Sequence, residues 1–318
     1  MSYLLADVGG RWLRGPEELG RLQEFNGRAV AAAGQAGYVH PGGIVHRMFS
    51  GNRRYDVSRL FYVWEDDAGI TAWALLQPRN AAFDLQIRPD KRGGNFELDL
   101  LLWAESALIE LLTEIGMPAA NLAIDIYADD AARLEAAAAA GWRHNDEPCY
   151  LTARSTANAP MVSLPDEYVI RTARLEEAEA IGALHAAAFA STWNAREYAT
   201  LMGTPGYSPD REWLVVAPDG SLAGFTETWH DPISGRGLFE PVGTHPDHRR
   251  IGVGRALIAA GLKQMKQAGL HTATVCFERD NAASRGLYLG AGFEIAHEIA
   301  CYTKPAPKSH PLPVRRDR

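Results

Sequence analysis

Hydrophobic and polar positions in the second half of the chain follow two different periods. Apolar residues at every second position are typical of strands, and an apolar stripe every three to four positions is typical of helices. The pattern predicts the order strand, helix, three strands, helix, strand, helix, strand. The corresponding segments are 168–172, 175–189, 211–217, 221–229, 238–244, 250–268, 272–277, 282–289 and 293–303.

The first half repeats this order in outline. Its repeat length of about 150 residues is too long for a solenoid and indicates a duplicated domain. Helix-like residues precede Gly37, and the chain then shows three strands, a helix, a strand and a helix before a last segment that opens at Trp142. These segments are 60–64, 70–76, 83–87, 97–112, 122–127 and 131–140.

The composition changes between the two halves. Residues 153–165 are small, polar and proline-bearing, which predicts a linker. The N-terminal domain is then predicted to cover 1–152 and the C-terminal domain 166–305. The proline-rich residues 306–318 are predicted to form a disordered tail. A length of 318 residues suits two domains of about 150 residues each.

Charge and composition exclude several classes of protein. The net charge of −7 argues against a nucleic-acid binder, which usually carries a basic domain. No apolar run reaches the length of about 18 residues that a membrane span needs. The N-terminus lacks a basic segment followed by an apolar one, so a cytoplasmic protein is expected. Three scattered cysteines favour neither a disulfide framework nor a metal site.

The segment from Thr244 to Arg255 carries the strongest chemical signal. It leads from a predicted strand through a basic turn into a predicted helix. Glycine at 252 and 254 leaves no Cβ in the way of an anion, and a helix N-terminus offers unpaired N–H groups. These features predict a site suited to a pyrophosphate, although a tight strand-to-helix turn would produce the same glycine spacing.

Two motifs resemble one known family. Arg249-x-x-Gly252-x-Gly254 resembles the acetyl-CoA signature of the GNAT superfamily of N-acetyltransferases, and 281–293 resembles its Asn…Leu-Tyr…Gly-Phe segment. A dinucleotide-binding fold agrees less well, because 272–276 forms a strand without the acidic residue that such a site needs. The resemblance implies an α/β (α+β) protein with two tandem GNAT-like domains, each a mixed, mostly antiparallel sheet flanked by helices.

The resemblance also implies acetyl-CoA as the acetyl donor. Backbone groups near 242–244 would hold the acetyl group and the pantetheine arm, and the glycine-bearing loop would hold the pyrophosphate. In this family the strand after the loop helix diverges, which admits the thioester. The residues expected to bind acetyl-CoA are Val242, Gly243, Thr244, Arg249, Arg250, Ile251, Gly252, Val253, Gly254, Arg255, Asn281 and Ser284.

Acetyl transfer to an amine needs a base, oxyanion stabilisation and an acid for the leaving thiolate. By resemblance the acid is Tyr288. Many relatives carry a glutamate where this chain has Leu238. Glu240 lies two residues later on the same strand face, and Glu227 on the neighbouring strand is the other candidate base. A site without a fixed base is the remaining alternative.

The acceptor is predicted to be a primary amine of a small molecule or a peptide. Four acidic residues are expected to give the acceptor end a negative rim that favours a cation; they are Asp210, Glu212, Glu227 and Asp231. Four aromatic residues either line the acceptor pocket or belong to the core; they are Trp193, Tyr198, Tyr207 and Trp229. His230 and His245 are predicted to be turn residues.

The N-terminal copy is predicted to be catalytically silent. Aligning Arg92 with Arg249 places Asn95 and Glu97 where the loop glycines stand, and a carboxylate there would repel a pyrophosphate. Ala137 falls at the position of Tyr288, and Asp130 at that of Asn281. These replacements favour a structural or substrate-shaping role for residues 1–152.

Two alternatives of other kinds remain open. The chain would bind acyl-CoA without catalysis if it were a sensor, although an intact Tyr288 argues against this. The tandem layout also resembles mycothiol synthase, with Leu238 counting against the same enzyme. The sequence does not decide the oligomeric state.

Overall fold

The computed structural model describes residues 9–52 and 54–307. Within them, twelve strands and eight α-helices form. The strands are β1 (Gly9–Trp12), β2 (Phe61–Asp66), β3 (Gly69–Gln77), β4 (Ala82–Ile87), β5 (Asn121–Tyr127), β6 (Arg143–Ser155), β7 (Val169–Thr172), β8 (Glu212–Val216), β9 (Leu222–Asp231), β10 (Arg236–Thr244), β11 (Thr272–Glu278) and β12 (Glu294–Pro305). The helices are α1 (Leu19–Ala33), α2 (Pro41–Gly51), α3 (Gly94–Glu114), α4 (Ala131–Ala139), α5 (Ala178–Phe189), α6 (Ala195–Met202), α7 (Val253–Gln267) and α8 (Ala282–Gly290).

All twelve strands belong to one sheet, in the order β1-β2-β3-β4-β5-β12-β6-β11-β10-β9-β8-β7. The first five come from the N-terminal half and the last five from the C-terminal half. The two middle strands are exchanged. β12 pairs antiparallel with β5 through Ile299↔Tyr127, and β6 pairs antiparallel with β11 through Leu151↔Cys276. The mixed, mostly antiparallel tandem arrangement is confirmed, with the two sheets joined into one.

The sheet opens at two equivalent places, where neighbouring strands run parallel. β10 and β11 pair from Arg236↔Thr272 to Leu238↔Thr274 and then diverge. β4 and β5 pair only at Ala82↔Ala123. Each half therefore keeps a wedge between its central strands, as the resemblance predicted for the C-terminal half.

The N-terminal half packs directly against the C-terminal wedge. Helix α2 lies over β9 and β10, and the approach is so close that a Cβ on Gly42 would stand 2.2 Å from Cβ of Trp229. One core cluster includes Ile44 and Val45 of α2 together with Leu238 of β10. The halves thus share a core at the level of the candidate site.

Most predicted elements are found within a few residues of their expected ends, but β1, α2 and α6 were not predicted. The proposed linker overlaps β6, which extends to Ser155 before an irregular stretch leads to β7. The domain boundaries remain a prediction, and the proposed tail lies almost wholly outside the described residues. None of the described helices combines the length and apolar character needed to cross a membrane.

Candidate active site

The glycine-bearing loop has the strand-to-helix geometry that the sequence predicted. A 3-10 turn over Pro246–His248 follows β10, and Nδ1 of His245 accepts from the Asp247 N–H at 3.3 Å. Arg250 and Gly252 both have positive φ, +67° and +97°, and Gly252 caps α7 without a side chain. The N–H groups of the first turn of α7 have no carbonyl partner inside the helix.

Close packing also favours glycine at both loop positions, 252 and 254. A Cβ on Gly252 would stand 2.6 Å from the backbone oxygen of Ser163, and one on Gly254 would stand 2.9 Å from Cδ2 of Leu287. The positive φ of Gly252 would strain any other residue. The loop therefore lies close against α8 and the segment before β7, with no room for a side chain at either glycine.

The arginines near the loop have different roles. Arg249 is exposed, and its guanidinium donates to the Ala188 carbonyl at 3.1 Å, which ties the loop to the end of α5. Arg255 donates to the Gly290 carbonyl at 2.8 Å, and Arg250 is exposed. Ile251 and Val253 pack into a small core behind the loop.

Residues 242–244 form the end of β10. They pair with β9 on one side, through Val242↔Thr226 to Thr244↔Gly224, and the register with β11 has ended by then. The other backbone edge of this stretch therefore faces the wedge, where the sequence predicted that the acetyl and pantetheine groups bind. A Cβ on Gly243 would meet the Phe225 ring at 2.3 Å.

Helix α8 places Tyr288 beside the wedge. Asn281 caps the helix by accepting from the Ser284 N–H at 3.0 Å. Tyr288 is 5% exposed and lies between Phe277 and Phe293, with ring centroids 6.4 and 6.2 Å away. Burial and, to a smaller extent, the charge of Glu240 raise the pKa of the phenol, so Tyr288 is protonated at neutral pH.

Glu240 lies at a bulge on the opposite side of the wedge. The register between β9 and β10 shifts between Phe239 and Val242, so Glu240 and Pro241 stand opposite Glu227. The Glu240 carbonyl accepts from Nε1 of Trp229 at 2.7 Å. Its Oε1 lies 3.4 Å from Nε2 of His46, and both side chains are 28% exposed. The N-terminal half thus contributes a histidine to the candidate site.

The predicted acidic rim is wrong for three of its four members. Glu212, Glu227 and Asp231 are buried and do not form an exposed rim. Asp231 accepts from Ile233 N–H at 3.1 Å within a turn. Only Asp210 stays at the surface edge. The prediction of a turn is also wrong for His230, which lies within β9.

Glu212 and Glu227 stand opposite each other on β8 and β9. The hydroxyls of Tyr198 and Tyr207 donate to Glu212, and burial raises its pKa to about 7. Burial, and then the charge of Glu212, raise the pKa of Glu227 well above the usual range. Neither carboxyl oxygen of Glu227 has a hydrogen-bond partner within residues 9–52 and 54–307.

A narrow pocket is lined by both candidate bases, Glu227 and Glu240. Its enclosed volume is about 10 Å³, which is room for about one water molecule. Three of the four aromatic residues proposed for an acceptor pocket lie in its wall, whereas Tyr207 holds Glu212 behind it. The pocket is lined by His46, His185, Trp193, Tyr198, Leu201, Glu227, Trp229, Glu240 and Pro241.

The equivalent loop in the N-terminal half is closed by a carboxylate. Arg92 and Arg249 both end a 3-10 turn in the same backbone conformation, and α3, capped by Gly93 at φ +85°, begins two residues earlier in the aligned loop than α7. Glu97 is fully buried, and its Oε2 accepts from the Gly93 N–H at 2.7 Å. A side chain of the protein thus takes a backbone donor at the position expected for a bound anion.

Two arginines complete this arrangement. Nε of Arg92 lies 2.9 Å from Glu97, and Nε of Arg133 lies 2.6 Å from it. Burial opposes ionisation, but the two guanidinium groups outweigh it and lower the pKa of Glu97 to about 2. Asp130 caps α4 as Asn281 caps α8, and Ala137 follows its cap by the same seven positions as Tyr288.

Comparisons with known proteins agree with this arrangement. The acetyltransferase (GNAT) family model matches residues 178–293. A mycothiol acetyltransferase from Arthrobacter sp. (strain FB24) is 31% identical over 149 residues, which cover 44% of this chain and 46% of that protein. The match thus spans about half the length of that curated relative.

Two solved structures share the whole arrangement. A GCN5-related N-acetyltransferase from Sphaerobacter thermophilus has a TM-score of 0.62 at 18% identity, covering 96% of this chain and 97% of that one. A tandem GNAT protein from the clavulanic acid biosynthesis pathway has the same TM-score and identity, covering 95% of this chain and 100% of that one. At this identity they establish the fold alone. Residues 178–293 thus match the acetyltransferase (GNAT) family model, and the chain as a whole has the fold of these two solved structures.

Proposed function

We propose that the chain transfers an acetyl group from acetyl-CoA directly to a primary amine at the wedge of the C-terminal half. The observation that carries this proposal is the placement of a carboxylate and a protonated phenol, Glu240 and Tyr288, next to the same opening between β10 and β11. Direct transfer needs these two functions, a base and an acid.

Acetyl-CoA, when bound, supplies an acyl group already activated as a thioester. The loop before α7 fits the anionic part of that substrate, because its glycines leave the backbone accessible and the first N–H groups of the helix have no carbonyl partner inside it. The unpaired edge of 242–244 offers further backbone groups to the wedge. We assign the binding of acetyl-CoA to this loop, this edge and the start of α8.

Glu240 is the base in this proposal. Its side chain is partly exposed and lines the pocket, whereas burial and the charge of Glu212 raise the pKa of Glu227 and favour its protonated form. A protonated carboxyl takes no proton from an amine. His46 lies next to Glu240 and provides a path by which the proton leaves towards solvent.

The experiment is a turnover assay that detects free thiol from acetyl-CoA. The acceptor panel contains simple amines, diamines, amino acids, aminoglycosides, peptides and the amine acceptor of mycothiol acetyltransferase, because relatives carry that name. Thiol release with an amine and not without it supports the proposal. Tight acetyl-CoA binding without thiol release for any amine favours the non-catalytic acyl-CoA sensor.

One acetyl-CoA site per chain is expected, and Gly252→Glu is expected to abolish it. The variant places a carboxylate at the helix N-terminus. Losing two charged hydrogen bonds of about 1.5 kcal/mol each weakens binding about 100-fold. Calorimetry measures the stoichiometry and the dissociation constant. Gly269→Glu is the matched control, since Gly269 also has positive φ but has nothing within 4 Å of its Cβ position. Undiminished binding to the Gly252 variant contradicts the assignment.

Tyr288→Phe is expected to lower the turnover number about tenfold and to leave acetyl-CoA affinity almost unchanged. The phenol acts as the sulfur departs, and its loss costs less than a typical acid–base group because a thiolate is a fair leaving group. Steady-state kinetics and calorimetry on the same protein separate the two effects. A turnover number within a factor of about two of wild type would assign the acid to another group or to water.

A further inference from the structure

Two consecutive residues of helix α2 contact the two halves of the molecule. Nε2 of His46 lies 3.4 Å from Oε1 of Glu240 in the C-terminal wedge. Nη1 of Arg47, the next residue, donates to Oδ1 of Asp84 on β4 at 2.9 Å. Successive side chains of a helix point about 100° apart, so they reach different neighbours from one rigid element. Helix α2 therefore connects the candidate base to the N-terminal wedge.

The two carboxyl groups occupy equivalent places in their halves. The parallel pairing of β10 with β11 ends at Leu238, two residues before Glu240. The parallel pairing of β4 with β5 is at Ala82, two residues before Asp84. Each carboxyl group thus follows the point where its wedge opens. Helix α2 contacts one of them with an imidazole and the other with a guanidinium.

Asp84 is held by contacts inside the N-terminal wedge. Its side chain is buried, and its Oδ2 accepts from Nε2 of Gln77 at 2.8 Å. Burial opposes the charge of Arg47, but Asp84 and then Asp125 on β5 raise the pKa of the guanidinium, so Arg47 stays a cation. The cavity that Arg47, Asp84 and Asp125 line encloses about 30 Å³, which is room for about two water molecules and not for a pantetheine arm. The N-terminal wedge thus serves as an attachment point for α2.

Helix α2 depends on such attachments because it is weak on its own. It has 11 residues, fewer than the roughly 12–15 that an isolated helix needs in water. Gly42 and Gly43 in its first turn lower its helix propensity further. His40 caps its start, where Nδ1 accepts from the Gly42 N–H at 3.1 Å. The ion pair of Arg47 with Asp84 attaches the part of the helix that carries His46.

We propose that Arg47 and Asp84 are positioning residues of the C-terminal site: their ion pair anchors α2 in the N-terminal wedge and thereby holds the His46 imidazole beside Glu240. Both residues act through His46 and not on the reacting atoms. The inference rests on the proposed acetyl transfer, in which Glu240 is the base. It gives the N-terminal half, whose own loop is closed, a defined part in that reaction.

Three variants test the anchor. Arg47→Met removes the cation and keeps a long side chain of similar helix propensity. Burial raises the pKa of Asp84, which favours uptake of a proton once the cation is gone. Asp84→Asn breaks the same pair from β4. Asp66→Asn is the matched control, because it breaks another ion pair of the N-terminal half, the one between Asp66 of β2 and Arg88 after β4 at 2.8 Å.

Hydrogen exchange followed by mass spectrometry tests the anchor without any turnover. Amides of 41–51 are expected to exchange about tenfold faster in Arg47→Met and in Asp84→Asn than in wild type, since local opening governs exchange in weakly held segments. Amides of α7 should be unchanged, and Asp66→Asn should leave both helices at the wild-type rate. Wild-type exchange of 41–51 in Arg47→Met overturns the proposal, and this variant alone decides if Asp84→Asn does not fold. Equally fast exchange in Asp66→Asn also overturns it.

Steady-state kinetics test whether the anchor acts through His46. With an amine that the acceptor panel identifies, Arg47→Met is expected to lower kcat about tenfold and to leave the KM of acetyl-CoA near that of wild type, because a slight misplacement of a reacting group has an effect of this order. In the His46→Gln background the same substitution should cause almost no further loss, whereas independent effects multiply. Multiplied losses, or an unchanged kcat in Arg47→Met, overturn the proposal.

The two levels of inference fail separately. Faster exchange of 41–51 in a protein that releases no thiol with any amine supports the anchor and overturns acetyl transfer. Amine-dependent thiol release together with wild-type exchange in Arg47→Met supports acetyl transfer and overturns the anchor.

Discussion

Glu240→Gln is expected to reduce the turnover number about 100-fold or more, because general base catalysis typically contributes about 10²–10⁴-fold. The amide keeps the size of the side chain and takes no proton. The pH dependence of the rate should change as well, because the variant has no carboxylate to act as the base. Turnover with an amine that the acceptor panel identifies, measured across a pH series, reports both effects, and acetyl-CoA affinity should stay near that of wild type.

Two further variants test the assignment. Glu227→Gln should act mainly on the KM of the acceptor, since burial and the charge of Glu212 raise the pKa of that carboxyl and disfavour it as a base. His46→Gln should lower the turnover number and leave acetyl-CoA binding unchanged, because the imidazole lies 3.4 Å from Glu240 and outside the glycine-bearing loop. If Glu227→Gln gives the larger loss of turnover and Glu240→Gln is nearly silent, the base comes from β9.

Glu97→Ala is expected to reduce the free energy of unfolding by about 3–5 kcal/mol, the usual effect of removing one partner from a buried ion pair. The variant leaves Arg92, Arg133 and the Gly93 N–H facing an empty space. Urea denaturation measures the change. Glu135→Ala is the control, since Glu135 is an exposed residue of α4 and should change stability little.

Inorganic phosphate provides a more specific test of the same arrangement. If the Glu97 carboxylate stands where a bound anion would lie, phosphate should stabilise Glu97→Ala and have little effect on wild type. The pH dependence has a fixed sign, because the folded pKa of about 2 is below the ordinary value of about 4.3. The contribution of Glu97 is complete above the ordinary value and is lost as the pH falls towards 2. If phosphate does not change the stability of Glu97→Ala, the interpretation that Glu97 occupies an anion site is wrong.

Sequence patterns predicted the parts of the fold whose structure depends on residues close together in the chain. The loop at Gly252, the helix with Tyr288 and the alternation of β8 to β11 depend on residues near each other in the chain, so periodicity and motifs sufficed. Glu97 was predicted to block the N-terminal loop by repelling a pyrophosphate. In the structure its carboxylate also binds the Gly93 N–H and two arginines of the protein. Helix α3 begins two residues earlier in the aligned loop than α7, which spacing alone does not determine.

Features made by contacts between distant residues were missed. Helix α2 begins with Pro41-Gly42-Gly43, which is typical of a turn, and forms a helix here because its apolar face packs on β9 and β10. His46 therefore gave no signal as a site residue. Glu212 and Glu227 look like solvent-facing strand carboxylates until α5 and α6 cover them. The candidate acceptor pocket, which is lined from both halves, was for this reason the least predictable part.

The exchange of β6 and β12 has a consequence for how the chain reaches its native state. Neither half completes its own part of the sheet. The C-terminal strand β12 pairs with β5 of the N-terminal half, and β6 of the N-terminal half pairs with β11 of the C-terminal half. In separate molecules such an exchange would make an intertwined dimer whose formation depends on concentration. Here the connection between the halves makes it intramolecular, at the high effective concentration that a short tether provides. The two copies should accordingly melt in a single transition, and a gene fragment encoding only one of them should yield a protein with an unsatisfied strand edge that self-associates.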